Sequence, residues 1–363
     1  MNKRIRVLVV DDQEIIRKMI KRGLSVSPEI EVIALAQDAF DARDKIVEFQ
    51  PDVMTLDVEM PKMNGLEFLK KLMPQYPIPV IMVSSLTREG QSITLEALDA
   101  GAVDFVTKPD GTDDSFEKMI QKLIEKIIIA SKVDTKSLLR KKRFGQAEKR
   151  GLQVDNRKVS SLIAIGASTG GTTAIKEILT SLPENMPPIV IVQHMPFTFT
   201  RLFAERLNSL CALNVKEADS GEKLTSGGVY IAPGDRHLRI CENRNSLLLS
   251  IENTEKVCGH RPSVDVLFNS VSETSICKDS IGVILTGMGK DGAAGMKKMF
   301  QRGAITIGQD EASSVVYGMP REAFVLGGIS RQVALDDIAE VLVNSVNEIQ
   351  HRHAKQKSSP VSD

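Results

Sequence analysis

The sequence lacks the features that would assign it to a membrane or to nucleic acid. No apolar run approaches the roughly 20 residues that a helix needs to cross a bilayer. Lys and Arg number 47 and Asp and Glu also number 47, so net charge gives no reason to expect nucleic acid or an anionic membrane as a partner. The N-terminal segment is basic and then apolar but has no small-residue cleavage site. It is therefore predicted to be a strand and not a signal peptide.

Cysteine is scarce, and no histidine stands at zinc-finger spacing. The 363 residues include four cysteines, at Cys211, Cys241, Cys258 and Cys277, and none of them form a C-x-x-C pair. Reduced thiols are favoured over disulfides or a structural metal site. Together with the missing signal and membrane segments, this composition predicts a cytoplasmic protein that is not inserted in a membrane.

The sequence does contain two α/β patterns, and its length suits two domains with connections. In the first pattern, over 1–130, five near-continuous apolar runs alternate with helical periodicity. This predicts a five-stranded, doubly wound (flavodoxin-like) parallel sheet covered by helices on both faces. A basic segment over 131–160 is predicted to be an interdomain linker, and its run at 140–143 lacks the aromatic interleaving expected of a nucleic-acid patch.

The second pattern, over 161–350, predicts an α/β domain with a parallel sheet and an antiparallel β-rich insertion. Its predicted parallel strands lie at 162–167, 189–193, 281–286 and 304–307. In the insertion, 228–234 and 246–251 are predicted to be antiparallel strands with turns. A helix over 336–350 is expected to end the fold, followed by a disordered polar tail over 351–363.

Acidic residues follow two strands of the first domain, at the edge where doubly wound sheets bind ligands. Asp11 and Asp12 follow the first strand, and Asp57 follows the third. Close carboxylates repel unless a cation joins them, and their hard oxygens suit Mg²⁺, leaving one carboxylate as a nucleophile for a phosphoryl group. Ser84 and Lys108 end the fourth and fifth strands, where a hydroxyl and an ammonium could bind that group.

This set of positions resembles the receiver domain of two-component response regulators, over about 1–129. The resemblance implies that a histidine kinase phosphorylates Asp57 and that Mg²⁺ is required. The residues that it assigns to the metal are Asp11, Asp12, Asp57 and, through its backbone carbonyl, Glu59. The residues that it assigns to the activation switch are Ser84, Phe105 and Lys108.

In the second domain, the loop Gly166-Ala167-Ser168-Thr169-Gly170-Gly171 follows a strand and opens a helix. A Walker A loop needs a lysine where Thr172 stands, and a dinucleotide fingerprint needs a glycine where Ser168 stands. The pattern G-x-S-x-G fits, and it is typical of a nucleophilic serine on a strand-to-helix turn. A helix N-cap serine would explain the same residues.

A nucleophilic serine needs a base, and the base needs an orienting acid. His194 ends the next strand, which should run parallel to the first because a helix connects them, so Ser168 and His194 are expected at the same edge. Asp291, in a glycine-rich loop after a buried strand, is the predicted acid, and Asp265 is the alternative. A helix-capping role would also explain Asp291.

Five stretches, IGASTGG, VQHMP, YIAPGDRHL, GHRPSVDVLF and LTGMGKDGA, resemble the catalytic domain of the CheB family of chemotaxis methylesterases. The resemblance implies a triad of Ser168, His194 and Asp291, with backbone amides near Thr169 or Met288 for the oxyanion. The implied substrates are glutamate γ-methyl esters on chemoreceptors, with deamidation of receptor glutamines as a second reaction. No cofactor is expected for the esterase. The resemblance also suggests that the unphosphorylated receiver blocks access to the active site.

Three other outputs remain as alternatives. A transcriptional regulator would need a helix-turn-helix or similar basic module, which the second pattern does not contain. A nucleotide-binding output is disfavoured by Thr172. An adaptor that only binds receptors is disfavoured by the intact set of serine, histidine and aspartate.

Overall fold

The computed structural model describes residues 3–109, 113–133, 152–154, 161–244 and 246–358. The chain divides into two compact units, Met1–Gln146 and Ala147–Asp363. Most of the predicted linker, including the basic run at 140–143, lies outside the described residues, and so does 359–363. Within the described ranges, no helix has the length and apolar content that crossing a bilayer requires.

The first unit is a parallel sheet flanked by helices. Its strands are β1 (Ile5–Val10), β2 (Ile30–Ala36), β3 (Val53–Asp57), β4 (Val80–Ser84) and β5 (Asp104–Thr107). Its helices are α1 (Glu14–Leu24), α2 (Ala39–Phe49), α3 (Gly65–Leu72), α4 (Arg88–Asp99) and α5 (Asp113–Ala130). The strand order is β2-β1-β3-β4-β5, and every pairing is parallel. The predicted doubly wound fold is confirmed, and full burial of β3 and β4 explains why their sequences are mostly apolar.

The second unit has a larger parallel sheet. Its strands are β6 (Leu162–Ala167), β7 (Ile189–Gln193), β8 (Asn214–Glu217), β9 (Gly228–Ile231), β12 (Ser280–Ile284), β13 (Ile305–Gln309) and β14 (Arg331–Val333), with the pair β10 (His237–Asn243) and β11 (Ser246–Glu252) apart from it. Its helices are α6 (Gly171–Ser181), α7 (Phe197–Leu210), α8 (Val264–Ser272), α9 (Ala293–Gln301), α10 (Met319–Val325) and α11 (Leu335–Ser358). The seven strands are ordered β14-β13-β12-β6-β7-β9-β8, all parallel.

The β-rich insertion is only partly as predicted. β10 and β11 pair antiparallel, which confirms an antiparallel insertion in this domain. The prediction that 228–234 is also antiparallel is wrong, because β9 pairs parallel with both β7 and β8. The turn residues before β9 belong to a connection that leads from the end of β8 back to the edge of the sheet where β8 begins, so β9 runs in the same direction as β8. All four residues of β9 are buried.

The end of the chain also differs from the prediction. The final helix does not end at residue 350 but continues to Ser358, so the first part of the predicted polar tail is helical. His353, in this extension, places its Nε2 2.9 Å from Oδ1 of Asp279. Because this contact joins residues far apart in sequence, the local composition gave no sign of it.

The strand order determines where the candidate catalytic residues meet. β6 lies between β7 and β12, and the loops that follow these three strands leave the sheet at the same edge. α8 packs on the sheet through Val264, Leu267 and Phe268. A Cβ at Gly166 of β6 would lie 2.1 Å from Cγ1 of Val264, so only glycine permits this close approach. The packing brings the N-terminus of α8 to the edge where the loops converge.

Candidate active site and phosphorylation site

Ser168 lies on a tight turn between β6 and α6. Its amide donates to the carbonyl of Thr286 at 3.0 Å, which ties the turn to the strand end of β12. Its carbonyl accepts from the amide of Gly171 at 2.7 Å and from Nε2 of Gln193 at 3.0 Å. The turn is therefore held from both neighbouring strands, while the Ser168 side chain remains partly exposed.

Two glycines allow the backbone to close around this turn. A Cβ at Gly287 would lie 2.6 Å from Cβ of Ser168, and a Cβ at Gly171 would lie 2.2 Å from Oε1 of Gln193. Neither position has room for a side chain unless its neighbour moves. The glycine-rich segments of the sequence are thus explained by close packing at the candidate nucleophile.

His194 follows β7 directly and lies beside the serine turn. Ala167 pairs with Gln193 in the sheet, so Ser168 and His194 leave neighbouring parallel strands at the same level. Nε2 of His194 is 2.8 Å from Oδ2 of Asp291. Nδ1 is buried and makes no hydrogen bond with any residue in the described ranges. In a neutral imidazole, the nitrogen that faces the carboxylate is the one that carries the proton, which leaves the lone pair on Nδ1.

Asp291 accepts four hydrogen bonds and is fully buried. Besides His194, its donors are the hydroxyl of Ser263 at 2.7 Å, the amide of Val264 at 2.8 Å and the amide of Asp265 at 3.0 Å. Burial by itself would raise the pKa of Asp291, but the hydrogen bonds from His194 and these donors bring the pKa below its usual value. The N-terminus of α8 supplies both amides, so its dipole also favours the charged form.

The alternative acid, Asp265, has a different set of partners. Its Oδ1 accepts from the amide of Gly295 in the first turn of α9 at 2.7 Å. Burial raises the pKa of Asp265, the amide of Gly295 lowers it, and the nearby Asp291 raises it, with a net increase. The two aspartates therefore cap each other's helices, because Asp291 precedes α9 and binds α8 whereas Asp265 begins α8 and binds α9. Of the two, it is Asp291 that is hydrogen-bonded to His194.

The two candidate oxyanion amides flank the serine. Met288 follows Gly287, and within the described part of the chain its amide donates no hydrogen bond. Its side chain is 46% exposed, so the loop opens to solvent at this point. Thr169 is buried, and its carbonyl accepts from the hydroxyl of Thr286 at 3.0 Å. That bond fixes the peptide between Thr169 and Gly170. The candidate amide of Thr169 belongs to the preceding peptide, whose Ser168 carbonyl is held by Gly171 and Gln193.

In the first unit, the predicted phosphorylation residues meet at one edge of the sheet. Asp57 ends β3 and is buried, and Asp11 follows the neighbouring β1. Nζ of Lys108 lies 2.8 Å from Oδ2 of Asp57 and 3.0 Å from Oδ2 of Asp11. The amide of Lys108 donates to the carbonyl of Ser84, the last residue of β4, at 2.7 Å.

The acidic residues fit a divalent cation. Single carboxylate oxygens of Asp11, Asp12 and Asp57 lie within 4.8 Å of one another. Burial raises the pKa of Asp57, the ammonium of Lys108 lowers it and the carboxylate of Asp11 raises it, with a net pKa of about 7. Asp11 and Asp57 are buried and Asp12 is exposed. A crowded set of hard oxygen donors whose charges repel each other is the donor chemistry that Mg²⁺ takes in proteins.

Two further side chains border this acidic cluster. Nη1 of Arg17 donates to the carbonyls of Asp11 at 2.6 Å and Asp12 at 3.0 Å, and so holds the acidic loop in place. The side chain of Glu59, whose backbone carbonyl is assigned to the metal by the receiver resemblance, accepts from the hydroxyl of Ser85 at 2.8 Å. Sequence reasoning missed Arg17, although its spacing places it one helical turn past the acidic pair.

The switch residues have separate surroundings. The hydroxyl of Ser84 accepts from Thr94 at 2.7 Å and is 3.2 Å from the carbonyl of Gly90, so it is engaged with α4. Phe105 is buried, and Nζ of Lys126 lies 6.0 Å from the centroid of its ring. For Ser84 to bind a phosphoryl group on Asp57, its hydroxyl would have to exchange these partners.

Comparison with known proteins finds a matching family for each half of the chain. The family described as CheB methylesterase matches residues 163–342, and the response regulator receiver domain family matches residues 7–121. A protein-glutamate methylesterase/protein-glutamine glutaminase of Syntrophotalea carbinolica is 49% identical over 96% of this chain and 99% of its own length. The chain belongs to the CheB methylesterase family.

Other CheB-family proteins agree with this assignment. The protein of the same description from Sulfurimonas denitrificans is 46% identical over 95% of this chain and 99% of its own length. The crystal structure of the Thermotoga maritima CheB methylesterase catalytic domain is 39% identical, with a TM-score of 0.50, and covers 52% of this chain and 99% of that domain. The α/β catalytic fold described above is therefore that of the CheB family.

Two histidines besides His194 belong to the surroundings of this CheB-family site. His237 is fully buried, and its Nδ1 accepts from the amide of Ser263 at 3.2 Å while Nε2 is 2.9 Å from the carbonyl of Glu255. It thus supports the residue that caps α8 and binds Asp291. The ring of His260 stacks on His194, with centroids 3.8 Å apart. Both contacts depend on the tertiary fold, so the local sequence gives no sign of them.

Proposed function

We propose that this chain is a phosphorylation-activated serine esterase that hydrolyses glutamate γ-methyl esters on chemoreceptors. The observation that carries the proposal is the set of contacts of His194, which follows the strand beside the Ser168 turn. Its Nε2 lies 2.8 Å from Oδ2 of Asp291, while its buried Nδ1 has no hydrogen-bond partner among the described residues. The relatives are named as protein-glutamate methylesterases and protein-glutamine glutaminases, and their similarity extends over nearly the whole chain.

The first half of the reaction forms an acyl-enzyme. The hydroxyl oxygen of Ser168 attacks the ester carbonyl carbon, and its proton passes to Nδ1 of His194. Asp291, kept ionised by its four donors, holds the imidazole by Nε2 and stabilises the imidazolium that forms. The amide of Met288, and that of Thr169 as the second candidate, bind the oxyanion of the tetrahedral intermediate.

The second half restores the enzyme. As the tetrahedral intermediate collapses, the bond to the methoxy group breaks, and His194 returns its proton so that methanol leaves. A water molecule then attacks the acyl-enzyme with His194 as base, which frees the glutamate and the Ser168 hydroxyl. A receptor glutamine enters the same route with ammonia as the leaving group, which accounts for deamidation as the second activity.

The receiver supplies the control. A histidine kinase donates a phosphoryl group to a carboxylate oxygen of Asp57, and the ammonium of Lys108, already within 2.8 Å of that carboxylate, pairs with the phosphoryl group. Asp11, Asp12 and Asp57 with the carbonyl of Glu59 would hold Mg²⁺, which neutralises phosphoryl charge when bound. Exchange of the Ser84 hydroxyl and movement of Phe105 would report the phosphoryl group to the rest of the protein.

Phosphorylation of Asp57 then activates the esterase by opening access of the receptor to Ser168. The protein acts in the cytoplasm, where it meets both the kinase and the cytoplasmic helices of the receptors. The test is methanol release from methylated receptor membranes by the full chain, with and without acetyl phosphate and Mg²⁺. Release should rise about 5- to 150-fold on phosphorylation, the range of ordinary coupling energies. Asp57→Asn is the matched control and should show only the lower rate. Absence of methanol release under both conditions would refute the proposal.

A further inference from the structure

The stack of His260 on His194 joins the candidate base to a residue that comes from a different segment of the chain. The two ring centroids are 3.8 Å apart, and the ring planes differ by only 9°. His194 follows β7, whereas His260 lies in the connection between β11 and α8. The contact covers one face of an imidazole whose side chain is 9% exposed.

A tight turn presents the His260 ring to His194. Val257 and His260 exchange two backbone hydrogen bonds, of 3.1 and 2.9 Å, around the central residues Cys258 and Gly259. Both central residues have positive φ, 51° and 80°, as in a type I′ turn. A cysteine rarely adopts this conformation, so the turn is maintained by its surroundings and not by local preference.

The residue after the turn is anchored as firmly. Nη2 and Nε of Arg261 donate to Oδ1 of Asp235 at 2.8 and 3.1 Å, and Nη1 donates to the carbonyl of Thr254 at 2.8 Å. The amide of Asp235 returns a bond to the carbonyl of Arg261 at 3.2 Å. The backbone of His260 is therefore held on both sides, which fixes the position from which its ring projects.

The hydrogen bond of the His194 ring leaves one motion of that ring unrestrained. Its Cβ is fixed by the backbone, and Nε2 is fixed by the 2.8 Å bond to Asp291. Two fixed points define an axis but not a plane, so the ring could still rock about the line between them. Rocking about this axis swings Nδ1, the ring nitrogen without a hydrogen-bond partner among the described residues. A parallel ring at 3.8 Å supplies the third restraint, because tilting would force the two rings into contact.

We propose that His260 is a positioning residue that fixes the plane of the His194 ring and so keeps Nδ1 aligned with the hydroxyl of Ser168. Its effect on turnover rests on the proposed function, whereas its effect on the His194 ring does not. The role requires a flat ring at this position and no proton transfer by His260. Phenylalanine should therefore substitute for it, and alanine should not.

The experiment compares His260→Ala and His260→Phe with wild type in the phosphorylated full chain, using methylated receptor membranes. His351→Ala, a change at an exposed histidine of α11, is the matched control and should leave turnover unchanged. His260→Ala should lower kcat about 2- to 10-fold with KM unchanged, the range expected from loss of one aromatic stack. His260→Phe should restore most of the wild-type kcat. Thermal unfolding of each variant identifies any loss of fold.

A second readout does not depend on the substrate. In protein labelled with ¹³C at histidine Cε1, relaxation of the His194 signal should show a more mobile ring in His260→Ala and a wild-type ring in His260→Phe. Equal losses of kcat in both variants, a rise in KM without a change in kcat, or unchanged ring mobility in His260→Ala would each overturn the proposal. If wild type releases no methanol, the esterase proposal fails, and the relaxation result still decides the role of His260.

Discussion

Gly287→Ala tests the packing around the candidate nucleophile with the smallest possible change. Gly287 lies in the loop after β12, where its carbonyl accepts from the amides of Gly318 at 3.1 Å and Met319 at 2.8 Å. A β-carbon at this position would lie 2.6 Å from Cβ of Ser168 and 2.5 Å from Sδ of Met319. The substitution adds one methyl group and changes no charge or hydrogen bond.

The magnitude follows from the distances. Carbon atoms pack at about 3.5–4.0 Å, so the methyl group and the Ser168 side chain would have to separate by about 1 Å. Met319 can turn its flexible side chain away, but Cβ of Ser168 moves only with its backbone. A displacement of about 1 Å at a reacting group costs on the order of 100-fold in rate. The overpacked site should also lose about 1–3 kcal/mol of unfolding free energy.

The assay is methanol release by the phosphorylated full chain, with unfolding followed in parallel. Gly289→Ala is the matched control from the same loop, because its φ is 85° and a Cβ there would meet nothing within 4 Å. The control should lose about 1–2 kcal/mol from its left-handed conformation yet keep its turnover within about threefold. Wild-type kcat in Gly287→Ala, or equal losses in both variants, would show that Ser168 is not held by this contact.

Two other predictions concern the carboxylates. Asp291→Asn should lower kcat about 10²- to 10⁴-fold with little change in KM, because the asparagine side chain cannot hold the same tautomer of His194. Kinetics near wild type, measured by methanol release, would exclude Asp291 as the orienting acid. With EDTA present, Asp57→Asn should become more stable than wild type as pH rises from 3.8 to about 7. Over this range the native state keeps a proton on Asp57 that the unfolded chain has released, so rising pH favours unfolding of the wild type. Denaturant titrations at several pH values measure the difference in unfolding free energy between Asp57→Asn and wild type. A stability advantage of the variant that shrinks as pH rises would contradict the burial argument.

Much of the fold was predictable because long-range order follows from simple sequence patterns. The apolar runs of β6 and β7 are buried along their length, and a helix between two strands implies that they are parallel. Those two facts suffice to place Ser168 beside His194. The same reasoning brought Asp57 close to Asp11.

Other features could not be predicted, for identifiable reasons. The direction of β9 depends on where its connection crosses the sheet, and its four residues are equally apolar in a hairpin or in a parallel sheet. The short edge strands β8 and β14 have too few residues for a clear alternation. His237 and His260 act through contacts that only the tertiary fold creates, and the local sequence carries no record of them.

The central claim is that Ser168 is the nucleophile of an esterase controlled by Asp57, and Ser168→Ala tests it most directly. The measurement is methanol release from methylated receptor membranes, combined with incorporation of phosphate from labelled acetyl phosphate in the same preparation. The account predicts no methanol above background and phosphorylation of Asp57 equal to wild type. Methanol release that persists in the phosphorylated variant would contradict it.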